Sequence, residues 1–166
     1  MRGAAALIAA FAIFVAGCSS SRKVTEVAGT QHRTLVVNDE PTPICVAVAG
    51  TVAQQVAGLG NRPSLPPKEG MAFPVAEPAQ ENFTMKDTSF PLAIVWVGQD
   101  AQVLGSANMT PKTTVDYDSP GPITMAVELS PQDWAPLAGT AKTLELGQAC
   151  PGTIVAGRPG QPPTQF

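Results

Sequence analysis

The segment "ENFTMKDTSFPLAIVW", residues 81–96, places charged and hydroxyl side chains between apolar residues. Lys86 and Asp87 are neighbours, and Thr88 follows them. An ammonium group beside a carboxylate can bind a polar ligand, and in a pocket that shifts their pKa values the pair can act as general acid and base. The same residues can also form a solvent-exposed rim turn, in which a Lys–Asp pair contributes only about 0 to 1 kcal/mol. The residue types therefore leave a site and a simple turn both open.

Two other polar stretches could converge on this rim. "VDYDSPGP" brings Tyr117 and Ser119 to a Pro-Gly turn, for which a plain loop is the simpler interpretation. Glu128 lies in the mostly apolar stretch "ITMAVEL", and on a buried face its carboxylate would need a partner such as Lys86 or Arg62. Because it alternates with the less apolar residues of that stretch, we expect Glu128 to be exposed. The candidate ligand-binding residues are Lys86, Asp87, Thr88, Tyr117, Ser119 and Glu128.

Several classes of function are disfavoured by what the sequence lacks. It has no G-x-S-x-G elbow, Walker loop, H-E-x-x-H motif or dinucleotide-binding glycine fingerprint. Its single histidine, His32, falls in a predicted tether, which argues against a Ser-His-Asp or Cys-His hydrolase and against a zinc site. A net charge of −3 and a pI near 5.0 argue against nucleic acid as a partner. We therefore assign no catalytic residue, no metal and no cofactor.

Residues 1–18 are typical of a bacterial lipoprotein signal. Arg2 supplies positive charge, residues 3–15 are apolar but too few to span about 30 Å of hydrocarbon, and "VAGC" ends at Cys18. The Cys18 thiol would carry a thioether-linked diacylglycerol, and two or three acyl chains anchor a protein stably where one does not. We therefore expect a mature chain that begins at Cys18 and is held on a membrane of the cell envelope, outside the cytoplasm. The alternative is an ordinary secretory signal in which Cys18 is incidental.

Cys45 and Cys150 are the cysteines that remain in the folded part of the chain. Thiols are usually oxidised in a compartment to which proteins are exported. A disulfide between them would close a loop of about 100 residues, which the chain-entropy model values at about 4 to 5 kcal/mol. The alternative is two separately buried thiols, if their Cβ atoms lie too far apart.

Short β-branched and aromatic runs, separated by Pro, Gly, Asn and Asp, predict a succession of strands. The run "LAIVWV", residues 92–97, is apolar on both alternating faces, which indicates a strand covered on both sides. Two short helices are predicted, one after Thr51 with Gln54 in capping-box position and one after Ser130 with Pro131 at the first helical position. The predicted strands are residues 34–37, 44–49, 71–73, 82–86, 92–97, 102–107, 113–117, 123–129 and 142–146.

This pattern predicts a mainly β, single-domain fold, a β-sandwich or jelly-roll-like barrel with two short helices. The β domain is expected to cover residues 34–150. It would be preceded by the signal peptide, residues 1–17, and a flexible tether, residues 18–33. A disordered tail rich in Pro and Gly, residues 151–166, would follow it.

Three blocks in order, "QQVAGLGNRPSLPPKEGMAFPV", "FTMKDTSFPLAIVW" and "SPGPITMAVEL", resemble the bacterial and archaeal family called domain of unknown function 192. The resemblance covers about residues 44–148 and implies a compact, mainly β, jelly-roll-like domain with no established reaction. The chain departs from the family pattern at four positions, where Thr84 replaces an aromatic residue, Asp87 an asparagine, Ala93 an acid and Ala57 an arginine. If the family is catalytic through that acid or that arginine, this chain lacks the group.

Three functions remain open. The first, which we favour, is a membrane-tethered, non-catalytic module that binds a small ligand or an envelope protein at a rim formed by Lys86, Asp87 and the Tyr117 loop. The second is an enzyme in which Lys86 works with Asp87 or Glu128 as acid and base. The third is a structural or assembly lipoprotein of the envelope. A deep pocket would favour the enzyme, a shallow polar rim the binding module, and a flat apolar patch the structural role.

Overall fold

The computed structural model describes residues 30–151, which form one mixed sheet of seven strands, a two-stranded ribbon and two short helices. In the large sheet the strand order is β6-β5-β8-β3-β2-β1-β9, and β4 pairs with β7. Within the large sheet β2 and β3 run parallel, and the other neighbouring strands run antiparallel. The strands are β1 (Gln31–Val37), β2 (Glu40–Val48), β3 (Glu69–Ala79), β4 (Asn82–Phe83), β5 (Leu92–Val97), β6 (Val103–Met109), β7 (Tyr117–Asp118), β8 (Ile123–Leu129) and β9 (Leu144–Ala149). The helices are α1 (Val52–Ala57) and α2 (Pro131–Ala138), and Gln99–Ala101 forms a single 3-10 turn.

The inner face of the sheet encloses one apolar core. Leu35 of β1, Val95 of β5 and Leu144 of β9 all belong to it, although these strands lie in different parts of the sheet. The sheet must therefore curl around this core, because a flat sheet could not bring such distant strands into one cluster. Trp134 of α2 is buried in the same cluster.

The outer face carries a second core, which loops cover. Met71 and Phe73 of β3 and Ile94 of β5 contribute to it. Leu59, from the loop after α1, and Met85, from the turn after β4, are buried in the same cluster. Alternate residues of β5 thus enter the two cores, and all six are buried, which confirms the prediction of a strand covered on both sides.

The curled sheet stays open. Its two edge strands approach at one end, where Gln102 and Thr143 form a single bridge and the Val103 amide donates to the Lys142 carbonyl oxygen at 2.8 Å. Beyond this bridge, β6 and β9 are the two ends of the strand order in the described residues. The prediction of a mainly β single domain with two short helices is confirmed, whereas closure into a barrel is not observed.

Local signals in the sequence set the ends of several elements. Asn38 and Asp39 have φ of 51° and 66°, the left-handed values that a two-residue hairpin between β1 and β2 requires. The Thr51 hydroxyl accepts from the Gln54 amide at 3.2 Å, and the Gln54 side chain accepts from the Thr51 amide at 3.0 Å, so the predicted capping box of α1 is present. Ser130 caps α2 as predicted.

Several boundaries differ from the prediction. β1 begins at Gln31, so residues 31–33, including His32, pair with β2 instead of belonging to a flexible tether. The strand predicted over 82–86 ends at Phe83, because the chain turns where the Thr88 amide donates to the Met85 carbonyl oxygen at 3.0 Å. Residues 113–116 form a loop, and the strand predicted there is reduced to β7.

Cys45 of β2 and Cys150, just after β9, form a disulfide with a Cα–Cα distance of 6.0 Å. β1 lies between β2 and β9 in the sheet, and the Cys150 amide donates to the His32 carbonyl oxygen of β1 at 3.2 Å. The disulfide therefore links the end of the edge strand β9 to β2, across the strand β1 that lies between them.

The predicted signal peptide, the lipidation site Cys18, most of the predicted tether and nearly all of the predicted tail lie outside the described residues. Within residues 30–151, no helix is both long and apolar enough to cross a membrane.

Candidate functional site

A cleft of about 940 Å³ opens on the outer face of the sheet. Its lining on one side comes from α1 and the loop over residues 58–61, and on the other from residues 73–77 of β3 and the segment around β4. Glu128 of β8 reaches the cleft from the sheet beneath. Clefts of about 300 to 1,000 Å³ are the usual size of small-molecule sites in proteins. The dimensions of this cleft are therefore suitable for a small ligand.

The loop after α1 is fixed by close contacts at one end of the cleft. Gly58 has φ of 46°, a left-handed value that glycine adopts easily. A Cβ on Gly60 would lie 3.3 Å from the Asp87 Cβ and 3.2 Å from the Ala57 carbonyl oxygen, which leaves no room for a side chain without movement. The Asn61 amide donates to the Asp87 carbonyl oxygen at 2.8 Å. The glycines of "GLG" thus allow this loop to sit directly on the turn that contains Asp87.

Residues 86–88 form a turn at the rim of this cleft. Met85, immediately before the turn, is fully buried, and Thr88 is only 5% exposed. The Thr88 carbonyl oxygen accepts from the Lys112 amide at 3.0 Å, which holds the far side of the turn. Asp87 and Thr88 line the cleft, whereas the exposed Lys86 side chain is not part of the lining. The structure therefore does not place the Lys86 ammonium against Glu128 in the cleft.

Tyr117 and Ser119 hold backbone segments and do not line the cleft. The Ser119 hydroxyl accepts from the Glu81 amide at 3.0 Å and donates to the Gly121 carbonyl oxygen at 2.8 Å. The Tyr117 hydroxyl accepts from the Thr110 amide at 2.8 Å. These bonds hold the β4–β7 ribbon in place, and β4 of this ribbon lines the cleft. The two residues therefore support the cleft wall without lining it.

Glu128 is buried, with only 6% of its surface exposed, so the expectation of an exposed side chain is wrong. Its register partners are Met71 of β3 and Ile94 of β5, both of which belong to the outer core. The period-2 pattern identified the face of β8 correctly, but it could not show that loops from elsewhere in the chain cover that face. Neither Lys86 nor Arg62 forms an ion pair with Glu128 in the described residues.

The Glu128 carboxyl group has no hydrogen-bonding or ionic partner among residues 30–151. Burial removes water from the carboxylate, and this raises the pKa of Glu128 from 4.5 to about 7. A buried polar group without a partner in the protein is costly unless a ligand or water satisfies it. Glu128 is therefore the residue of the cleft whose chemistry most needs an explanation.

Every ionisable side chain in the lining of the cleft is an acid. Glu77 and Glu81 lie on β3 and just before β4, Asp87 lies on the rim turn, and Glu128 lies at the base. No lysine, arginine or histidine among the described residues lines the cleft. These acids do not form a metal site, since residues 30–151 contain no group of three His, Cys, Asp or Glu side chains that could hold a metal ion.

The rest of the lining is largely apolar. Phe73 and Phe83 pack edge to face, with ring centroids 6.0 Å apart and an interplanar angle of 72°. Val52 and Val56 of α1 lie at the mouth and are 77% and 83% exposed. Exposed valines on one short helix at the mouth of a cleft offer an apolar surface that the apolar part of a ligand can contact. The cleft thus combines apolar walls with a buried acid.

Asp133 shows how the same fold treats a buried acid that has partners. Burial alone would raise the pKa of Asp133, but hydrogen bonds from the Lys68 side chain and amide and from the Ser130 hydroxyl outweigh it, and the pKa is lowered. The Lys68 Nζ lies 2.9 Å from Asp133 Oδ1, and the Lys68 amide donates to Oδ2 at 2.9 Å. This acid has a structural role that Glu128 lacks.

Sequence reasoning did not find most of the cleft. Phe73, Glu77, Glu81 and the valines of α1 gave no local signal, because they are isolated residues in separate elements. Two glycines around a buried leucine, as in the "GLG" after α1, indicate a close backbone approach and are the one local signal that could have marked this wall of the cleft. Of the six predicted ligand-binding residues, Asp87, Thr88 and Glu128 line the cleft.

Comparisons with known proteins place this architecture among related chains. The model of domain of unknown function 192, whose description reads "Uncharacterized ACR", matches residues 33–143. No curated protein matches the chain.

Two solved structures are similar to the chain. A protein of unknown function from Novosphingobium aromaticivorans DSM 12444 is 27% identical with a TM-score of 0.61, and the match covers 74% of this chain and 89% of that one. A protein from Sinorhizobium meliloti 1021, described as a candidate transcription regulator, is 24% identical with a TM-score of 0.62 over 70% of this chain and 93% of that one. At that identity the second likeness shows the shared fold alone.

Proposed function

Because this chain belongs to the uncharacterized family called domain of unknown function 192, we propose its function from its own cleft: it is a non-catalytic module that binds a small ligand. The observation that carries the proposal is a 940 Å³ cleft with the unpaired carboxyl group of Glu128 at its base. A cleft with apolar walls and a few polar groups is the usual form of a small-molecule site. The ligand would supply the partner that the fold does not give to Glu128.

The second candidate is an enzyme that uses Glu128 as general acid or base. A carboxyl group with a pKa near neutrality can both donate and accept a proton at physiological pH. Such an enzyme would need a second functional group beside Glu128, and Lys86 lies outside the cleft lining. The lining does contain three further carboxyl groups, but none of them interacts with Glu128 in the described residues. Among the described residues, the lining also contains no serine, cysteine, histidine or tyrosine. Binding therefore explains the cleft with fewer requirements than catalysis.

A purely structural role in the envelope has less support. It would favour a flat apolar patch on the surface. The most exposed large apolar side chains, Val52 and Val56, stand at the mouth of a concave cleft instead. The apolar surface of α1 is therefore better explained as part of a ligand site.

We also propose that the module is held on a membrane of the envelope, outside the cytoplasm, by acylation of Cys18. The proposal rests on the leader that ends in "VAGC". It is consistent with the Cys45–Cys150 disulfide, since disulfides persist in export compartments. Mass spectrometry of the chain from a bacterial host should find a diacylglyceryl group on an N-terminal Cys18, and Cys18→Ser should release the protein from membranes. An unmodified Cys18 in the mature chain would exclude the anchor.

Ligand binding can be tested by thermal-shift screening of a metabolite library on the chain from residue 18, with Cys18→Ser to prevent acylation. A binding ligand should raise the melting temperature in a saturable manner. Ala57→Trp should block this effect, because Ala57 is exposed and lines the cleft. Ala53→Trp is the matched control, since Ala53 lies exposed on the same helix but outside the lining.

Lys86→Ala provides a second control for the same screen. Its side chain lies outside the cleft lining, so the stabilisation by a ligand should be unchanged. The proposal of a binding cleft would be wrong if no library compound stabilised the protein, or if every stabilising compound acted equally on Ala57→Trp.

A further inference from the structure

The charge of the cleft restricts what it can bind. Its ionisable lining groups are Glu77, Glu81, Asp87 and Glu128, and no cationic side chain of the described residues faces them from within the cleft. A site of one charge sign concentrates ligands of the opposite sign and repels those of the same sign. An anionic ligand would find no counter-charge here.

Glu128 distinguishes this cleft from an ordinary acidic surface. Only 6% of its surface is exposed, it lines the cleft, and it lacks a partner among residues 30–151. An acid on the surface is fully hydrated, whereas a mostly buried carboxylate has limited access to water and gains more from a cation or donor in contact with it. The cleft gives direct access to that position for a group that comes from solvent.

A metal ion does not fit the arrangement. The four acids come from different parts of the lining, and no three carboxylates of the described residues stand close enough to coordinate one ion. An organic cation requires only one close carboxylate, because the remaining acids act through the field in the cleft. Its apolar body would contact Phe73, Phe83 and the valines of α1.

From these observations we propose that the cleft binds a small organic cation, an amine or guanidinium on an apolar or aromatic body, with its charged group against the Glu128 carboxylate. This inference rests on the proposed function, since it names the ligand class of the same cleft.

Binding of a cation should be linked to proton release. The free Glu128 carboxyl is partly protonated near neutral pH. The ligand enters as a protonated cation, the carboxyl gives its proton to the buffer, and an ion pair forms. The groups that face Glu128 are Met71 from β3 and Ile94 from β5, which do not titrate, and across the cleft Glu77, Glu81 and Asp87, which are acids. α1 and residues 58–61 contribute no titratable side chain.

Isothermal titration calorimetry with three matched probes tests the inference. Phenethylamine, 2-phenylethanol and phenylacetate share one aromatic body and carry a positive, neutral and negative group. We expect phenethylamine to bind at least about tenfold more tightly than the other two, as a charge-assisted bond to a buried acid implies. Its affinity should fall about tenfold or more between pH 8 and pH 5.5, with proton uptake by the buffer at the lower pH. Glu128→Gln should remove both the preference and the pH dependence.

Glu145→Gln is the control, because Glu145 is exposed on β9 and lies outside the cleft. If Glu128→Gln did not fold, the pH profile and buffer dependence of the unaltered chain would still decide the question. Equal binding of 2-phenylethanol or phenylacetate would overturn the cation inference and leave the binding function intact. Absence of phenethylamine binding at millimolar concentrations would also overturn it. Only if the metabolite screen failed as well would the proposed function fall.

Discussion

Burial of Glu128 without a counter-charge makes its ionisation costly in the folded protein. Asp133 exposes an equally small fraction of its surface, yet contacts with Lys68 and Ser130 stabilise its charged form. The two acids show that burial alone does not decide the pKa of a carboxyl group, since hydrogen bonds and counter-charges can reverse its effect. In this fold the partnered acid supports α2, and the unpartnered acid faces a cleft.

The first prediction follows from the raised pKa of Glu128. Between pH 4.5 and about 7 the folded chain retains a proton that the unfolded chain has released. The contribution of this group to stability is therefore complete below pH 4.5 and is lost as the pH rises through about 7. Glu128→Gln should increase the free energy of unfolding at pH 8 by up to about 3 kcal/mol and change it little at pH 4.

Urea denaturation of both proteins at pH 4 and pH 8 measures this difference. Glu145→Gln, an exposed position on β9, should show no such dependence on pH. A constant difference between Glu128→Gln and the unaltered chain across this range would show that the Glu128 carboxyl has an ordinary pKa.

At the scale of elements, α1 differs from α2 because none of its residues is buried, whereas α2 buries Asp133 and Trp134. Its capping box and a few side-chain bonds hold it in place, including one from Gln55 Nε2 to the Pro74 carbonyl oxygen of β3 at 2.8 Å. Short helices depend on packing for most of their stability, and elements with few buried contacts open locally at low cost. α1 is therefore the wall of the cleft that can move most easily to admit a ligand.

The second prediction concerns the cap of this helix. Thr51→Ala removes a hydroxyl acceptor at the N-terminus of α1, a loss of about 1 kcal/mol. Because α1 buries no side chain, we expect faster hydrogen exchange of amides in α1 and little change in the midpoint of global unfolding. Hydrogen exchange followed by mass spectrometry measures the first quantity. A fall in global stability equal to the whole cap energy would mean that α1 unfolds only with the sheet.

At the scale of the whole molecule, the disulfide joins residues 105 positions apart in sequence. It links β2 to the end of β9, beside the strand β1 that both of them pair with. The closure of so long a loop removes conformational freedom mainly from the unfolded chain. The curled single sheet therefore gains stability at an edge where no further strand follows in the described residues.

The third prediction addresses this bridge. The double variant Cys45→Ser/Cys150→Ser should lose about 4 to 5 kcal/mol of unfolding free energy in the chain-entropy model. Reductant should destabilise the unaltered chain by a similar amount and should not affect the double variant. Equal stability of the unaltered chain with and without reductant would show that the disulfide contributes nothing in solution.

Part of the candidate site could be predicted from the sequence, and part could not. Lys86, Asp87 and Thr88 stood out because charges interrupt an apolar stretch, and two of the three do line the cleft. Glu128 was noticed because it lies in an apolar strand, but its burial was not foreseen. Strand periodicity tells which side chains share a face, and it carries no information about which distant loop covers that face.

The amino-acid sequence predicted the mainly β class, the two caps and the doubly covered strand β5, because turn residues, caps and alternation act over a few neighbouring residues. It also contained the cysteines whose bridge the structure shows. The folded chain was needed to show that the sheet curls without closing, that Lys86 stays outside the cleft, and that Glu128 lies buried at its base. These features depend on contacts between α1, β3, the segment around β4 and β8, which are far apart in the chain and meet only when the outer face of the sheet is covered.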